Sequence, residues 1–169
     1  MTTHRFFKGV IPLWVAGLAV LFIAATTAGG FQLRVEVPQD DSDAVLLVRT
    51  YRCHQPEKAK VSGTAEGIVE GQRVSVPVQL QPVKKGVYAV AQQWPTEGTW
   101  VLAFSGSYRG HNTSTLVTLD DQGKVAVKKT DKGPELDVRV MNRKLSDADV
   151  EGALHRITQA KTTRKARVG

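Results

Sequence analysis

The chain has 169 residues, with 23 Lys and Arg against 16 Asp and Glu, a formal net charge of +7. Arg5 and Lys8 at the start, with Arg156, Lys161, Arg164, Lys165 and Arg167 at the finish, account for all seven, so residues 31–154 balance. A nucleic-acid surface carries its basic excess on the folded body, so this distribution argues against nucleic acid as a partner.

In chain order, the first feature is an uncharged run, residues 9–32, with Arg5 and Lys8 before it and Arg34, Glu36, Asp40, Asp41 and Asp43 soon after. About 20 apolar residues span a bilayer core. The run therefore reads as a transmembrane anchor, or as a cleaved signal with small-residue sites after Ala28 or Gly30. The basic start is expected to stay in the cytoplasm and the rest to lie on the far side. The expectation is a single-pass cell-membrane protein, or a secreted or periplasmic one if the leader is cleaved.

From residue 31 the dominant period is two. Phe31, Leu33, Val35 and Val37 alternate with polar residues, as do Val74, Val76, Val78 and Leu80, and then Trp100, Leu102 and Phe104. Each pattern predicts a strand with one buried face. Further strands are expected over 44–51, 59–65, 86–92, 113–119 and 124–129, and a further extended piece over 135–140 at a sheet edge. Turns are expected at 38–42, 55–57, 67–71, 82–86, 95–98, 106–110 and 120–123. Pro77 cannot donate to a ladder and places its strand at a sheet edge or bulge. Short strands at close spacing, with no helix between them, predict an all-β, immunoglobulin-like antiparallel sandwich of about seven to eight strands.

One helix is expected after the sandwich. Ser146 is a good N-cap, Asp147, Asp149 and Glu151 suit the positive end of the helix dipole, and Leu145 can staple onto Val150. Val150, Ala153, Leu154 and Ile157 then form an apolar stripe that must dock on something. The predicted organisation is thus a leader (1–30), a sandwich (31–140), an amphipathic helix (141–160) and a basic disordered tail (161–169).

The segment Gly86-Val87-Tyr88, followed by Pro95-Thr96-Glu97-Gly98-Thr99-Trp100-Val101-Leu102, is similar to the exported β-sandwich domains of the YtkA-like and FixH-like group. In that group a Gly-x-Tyr strand precedes a Gly-x-Trp strand across a short polar turn. The resemblance covers residues 33–119 and implies an extracytoplasmic, membrane-linked accessory module rather than an enzyme. Some relatives handle metals. This chain lacks their His- and Met-rich ligand clusters. On the residues alone, Gly98 suits a turn with positive φ and Trp100 fills the centre between two sheets.

Candidate chemistry is sparse. Cys53 is the only cysteine, which excludes an intramolecular disulfide and suggests a buried small apolar residue. Soft metals want thiolate and imidazole together, so Cys53, His54 and His111 are the metal candidates, with His155 and Met141 more remote. Gly106-Ser107-Tyr108-Arg109-Gly110 reads as a loop rather than a nucleophile elbow, and the pairs Asp40-Asp41 and Asp120-Asp121 as solvated turn residues. No catalytic residue and no cofactor are indicated. Trp94, Tyr51, Tyr88 and Tyr108 are candidates for a sugar-binding face, and the basic tail for contact with anionic lipid. The sequence thus points to a non-catalytic accessory module with another envelope protein as partner. A copper-type metal-binding protein is the alternative, and a carbohydrate- or lipid-binding module the second.

Overall fold

The computed structural model describes residues 30–38, 43–131 and 133–168. The expected leader falls on residues outside these. Among the described residues no helix is long and apolar enough to cross a membrane.

Eleven strands and one α-helix make up the described fold: β1 (Gln32–Glu36), β2 (Ala44–Tyr51), β3 (Lys60–Val69), β4 (Gln72–Val78), β5 (Gln81–Lys84), β6 (Val87–Ala91), β7 (Thr99–Tyr108), β8 (His111–Thr118), β9 (Val127–Thr130), β10 (Gly133–Leu136), β11 (Val138–Met141) and α1 (Asp147–Val168). They form a four-stranded sheet, β1-β2-β6-β5, and a five-stranded sheet, β11-β8-β7-β3-β4, with β9 and β10 as a separate hairpin. Every strand pairing is antiparallel. The two large sheets pack face to face. Leu33, Leu46, Val48 and Val90 from one meet Ala65, Trp100, Leu102, Phe104 and Val117 from the other in a single core. The Thr115 hydroxyl ties the layers by donating to the Leu33 carbonyl at 3.1 Å.

The all-β sandwich expected from the period-two pattern is therefore present, with more strands than the seven or eight anticipated. Two of the extra strands come from the stretch expected at 135–140, which breaks at Asp137 into β10 and β11. Asp137 accepts from the Thr118 amide and donates to the Ala126 carbonyl, so it joins β9 and β10 to the five-stranded sheet rather than extending either. Another, β5, occupies a stretch read as a turn. Pro77 stands on the outermost strand β4, opposite Thr64, where its missing amide faces no neighbour.

Two hairpins close with two-residue turns, Glu70-Gly71 and Arg109-Gly110, all four residues at positive φ. Their mirror-image geometry matches the twist of the flanking strands. Gly67 and Gly106, expected in turns, lie inside β3 and β7. Their lack of a side chain serves packing instead: a Cβ on Gly67 would run into the Trp100 ring, and one on Gly106 into the Phe31 ring. Trp100 is 3% exposed in the intersheet core, and its indole N–H donates to the Glu97 carbonyl at 2.8 Å. Gly98 sits at φ +101°, as the turn before Trp100 requires.

Helix α1 docks on the outer face of the five-stranded sheet, making a third layer. Val150, Ala153 and Leu154 pack on Val101, Ala103, Leu116 and Met141, with Leu145 and Ile157 at the margins. β7 is consequently buried on both faces: Trp100, Leu102 and Phe104 inward, Val101 and Ala103 toward the helix. The helix continues past residue 160 to Val168, where a disordered tail was expected. Thr158, Thr162 and Thr163 return hydroxyl bonds to carbonyls four residues back, and Lys161 anchors the helix to Asp121 at 2.6 Å.

The start of α1 is fastened at Ser146, but with the Asp149 carboxylate as the acceptor rather than the Ser146 hydroxyl. The Ser146 hydroxyl and backbone amide both donate to Asp149, at 2.6 and 3.0 Å, and Arg143 grips both Asp149 oxygens at 2.6 Å. The Arg143 guanidinium first, then the two Ser146 donors, hold the Asp149 carboxyl far below the usual carboxylate range. A depressed native pKa means that the unfolded chain binds the proton more readily. The stabilisation is complete above the unfolded value of about 4 and is lost as pH falls below it. Asp149→Asn is therefore expected to lower the melting temperature at neutral pH. The gap between wild type and variant should close below about pH 4, as followed by circular dichroism melts. A gap constant from neutral to strongly acid pH would contradict this.

Candidate functional site

The helix covers only part of its sheet. Between the middle of α1 and the far end of β8 an open cleft of about 780 Å³ remains. Its floor is apolar, from Leu116, Leu119 and Val125 on the sheet side and Ala153 and Ile157 on the helix. Val127 stands at its mouth, 61% exposed. The turn at residues 120–123 forms one wall. Asp120 shapes it by accepting from the amides of Gln122 and Lys124 at 2.8 and 3.0 Å, as short polar side chains do in tight turns. The turn expected there is present, closed by a single bridge between Leu119 and Val125, but β8 and β9 do not go on to pair: β9 pairs with β10 instead.

The rim is charged in a particular way. Its acids are engaged: Asp121 with Lys161, and Asp137 with Lys128 at 3.9 Å. Two arginines also line the cleft, Arg139 from the edge strand β11 and Arg156 from α1. Among the described residues, neither has an acid within ion-pair distance. Alternation places them: Met141 of β11 faces the helix, so Arg139, two residues earlier, shares that face. An apolar trough flanked by two available guanidiniums can hold a molecule with both an apolar body and an anionic group, since guanidinium pairs carboxylate and phosphate in forked fashion.

The sequence-derived candidates lie elsewhere. Cys53 and His54 fall in the irregular stretch after β2. Cys53 is half-buried against the core and His54 is exposed. His111 begins β8, exposed beside the Arg109-Gly110 turn. That turn and the Cys53 loop approach one another, through a 3.4 Å contact from Arg109 to the Gln55 side chain. Even so, among the described residues no group of three His, Cys, Asp or Glu is placed to hold a metal ion. His155 is on the exposed side of α1, and Met141 is buried under that helix. Ser107, in the segment read as a loop, belongs to β7. Asp40 and Asp41 fall on residues outside the described ones.

The aromatic candidates do not assemble one surface. Trp94 and Tyr108 are core residues, 3% and 8% exposed. Tyr51 carries the Arg34 guanidinium 3.5 Å above its ring centre, a cation–π contact, and Tyr88 is half-buried on β6. The cleft itself escaped sequence reasoning. Its signals were Val101 and Ala103, apolar at the wrong phase of β7 for a strand covered on one face, and the lone Val127.

Compared with family models, curated proteins and solved structures, the chain matches none.

Proposed function

We propose that the chain is a membrane-tethered, non-catalytic interaction module of a cell envelope. Its sandwich, immunoglobulin-like in kind and resembling the YtkA-like and FixH-like domains, stands on the side of the membrane away from the cytoplasm. Partner recognition is carried by the cleft beside α1. The observation behind this is the apolar trough with Arg139 and Arg156 on its rim, two of its acids in ion pairs and the third, Asp120, held by backbone amides. Such a lining orients and holds, and arginine is among the residue types that most often carry binding energy at an interface. The partner it suits presents an apolar side chain next to a carboxylate. The uncharged run supplies the tether, and the basic residues before it supply the orientation.

The test uses the full chain in cells. A photo-crosslinking residue replaces Val127 at the cleft mouth or, for comparison, Val83 on the edge strand β5, which is 57% exposed and remote from the cleft. The position 127 probe is expected to capture a discrete envelope protein that the position 83 probe does not. Arg156→Glu should cut that yield about tenfold, as loss of a strong interface arginine does. Identical products from both positions would count against the cleft. A reporter joined behind Gly169 that works only in the cytosol would end the envelope reading.

A further inference from the structure

The balanced charge of the sandwich conceals a separation. One end is where Gly30 and Phe31 enter β1, with the Phe31 ring 5.8 Å from that of Tyr108. Strand register brings three more segments there. Gln32 pairs with Tyr51, which leads into the stretch after β2, Tyr108 pairs with His111 across the β7–β8 turn, and Lys60 pairs with Ser107. The β5–β6 turn joins them through Gly86, whose carbonyl accepts from the Thr50 amide at 2.8 Å. Lys144 joins them too, lining one depression with Gly30, Phe31 and His111. Among the described residues, the exposed cations at this end are Arg52, Lys58, Lys60, Lys85, Arg109 and Lys144, against Glu57 and Asp147 as exposed acids. The opposite end carries Asp43, Glu70, Glu97 and Asp120, all exposed, with Lys124 exposed among them and Lys161 half-buried beside Asp121.

The basic end is also where the uncharged run arrives. That run ends on Gln32, already the first residue of β1, so the sequence has no spacer between them. Three residues of chain, from 28 to 31, reach at most about 10 Å. The headgroup zone on each side of a bilayer core is itself about 5–8 Å deep. The screening length at physiological salt is about 8 Å. A sandwich so tethered places its basic end within reach of lipid charge, whatever its tilt.

We propose that this end is a basic collar that seats the sandwich on the anionic headgroups of the membrane holding the leader. It rests on the reading of residues 9–32 as an uncleaved anchor. Seating by this end turns the opposite end, where exposed acids outnumber cations among the described residues, outward. The helix crosses the sheet from Ser146, near the collar, to Lys161 beside Gly98 and Asp121 at the far end, so the cleft faces away from the lipid.

The experiment reconstitutes the full chain, as a Cys53→Ser variant, into vesicles of phosphatidylcholine alone or with roughly a third phosphatidylglycerol. A fluorophore is placed by Glu57→Cys at the collar, or by Gln122→Cys at the opposite end, and quenched by headgroup nitroxides. The expected result is quenching at position 57 at least about threefold greater in the anionic vesicles, with position 122 unaffected. The effect should vanish near 0.5 M salt, where screening shortens to about 4 Å. It should also vanish in Lys58→Glu/Lys60→Glu/Lys144→Glu, whose changes are all at exposed sites and whose melting temperature reports intact folding. Equal quenching at position 57 in both lipids, with the chain inserted, overturns the collar and leaves its charges to an acidic protein. Release of the chain from vesicles by alkaline carbonate overturns the anchor reading, and the collar with it.

Discussion

Trp100→Ala is expected to lower the free energy of unfolding by about 3–5 kcal/mol, the range for removing a buried aromatic side chain. Single domains are stable by only about 5–15 kcal/mol. The variant should therefore unfold at a much lower urea concentration and be partly unfolded at body temperature. The upper part of the range is argued by what surrounds the ring. It lies on Gly67 of β3, which has no side chain to move into the vacated space, and its N–H satisfies the Glu97 carbonyl. Trp100→Phe keeps most of the volume and loses the hydrogen bond, so its cost should be smaller. Urea titrations followed by circular dichroism decide the matter. A loss below about 1 kcal/mol for the alanine variant would mean that this ring is not central to the core.

Leu154→Ala should cost about 2–5 kcal/mol by the same reasoning, but locally. Leu154 is 2% exposed, and with Val150 and Ala153 it covers Val101, Ala103 and Leu116. Among the described residues no backbone bond pairs α1 to the sheet; beyond its packing it is tied by the Arg143–Asp149 grip on its first turn and by the exposed pairs Arg73–Glu151 and Lys161–Asp121. The helix can open while both sheets stay closed, a sub-global event with its own free energy. Hydrogen exchange of amides in residues 150–160 is expected to quicken by about thirtyfold or more, the equivalent of 2 kcal/mol, while β3 and β7 keep their protection. Uniform acceleration throughout would show instead that α1 and the sandwich unfold as one.

How far the sequence could be read depended on whether one side of an element was wet. β1 and β4 border solvent on one face, so their alternation was plain, and so was the edge position of Pro77. The stripe and cap of α1 were equally legible, since Ser146, Asp149 and Val150 act within a few residues of each other. Gly67 and Gly106 misled because glycine is a turn former by local rules, whereas their roles are set by Trp100 and Phe31 from distant strands. Beyond residue 160 the apolar period stops, but helical backbone continues where hydroxyls and Lys161 find partners. The cleft and the charged ends were invisible for a related reason. Both are made by juxtaposing segments far apart in the chain, and a net charge near zero carries no information about where the charges go.

The order of synthesis adds a constraint. Val101, Ala103 and Leu116 acquire their outer cover only when Leu154 and Ile157 exist, roughly 40 residues later. At ordinary elongation speeds of about 5–20 residues per second, that greasy surface stays bare for about 2–8 s in each nascent molecule. A stop codon anywhere between β11 and Leu154 would make the bareness permanent, so truncation there should yield a sticky, chaperone-dependent product.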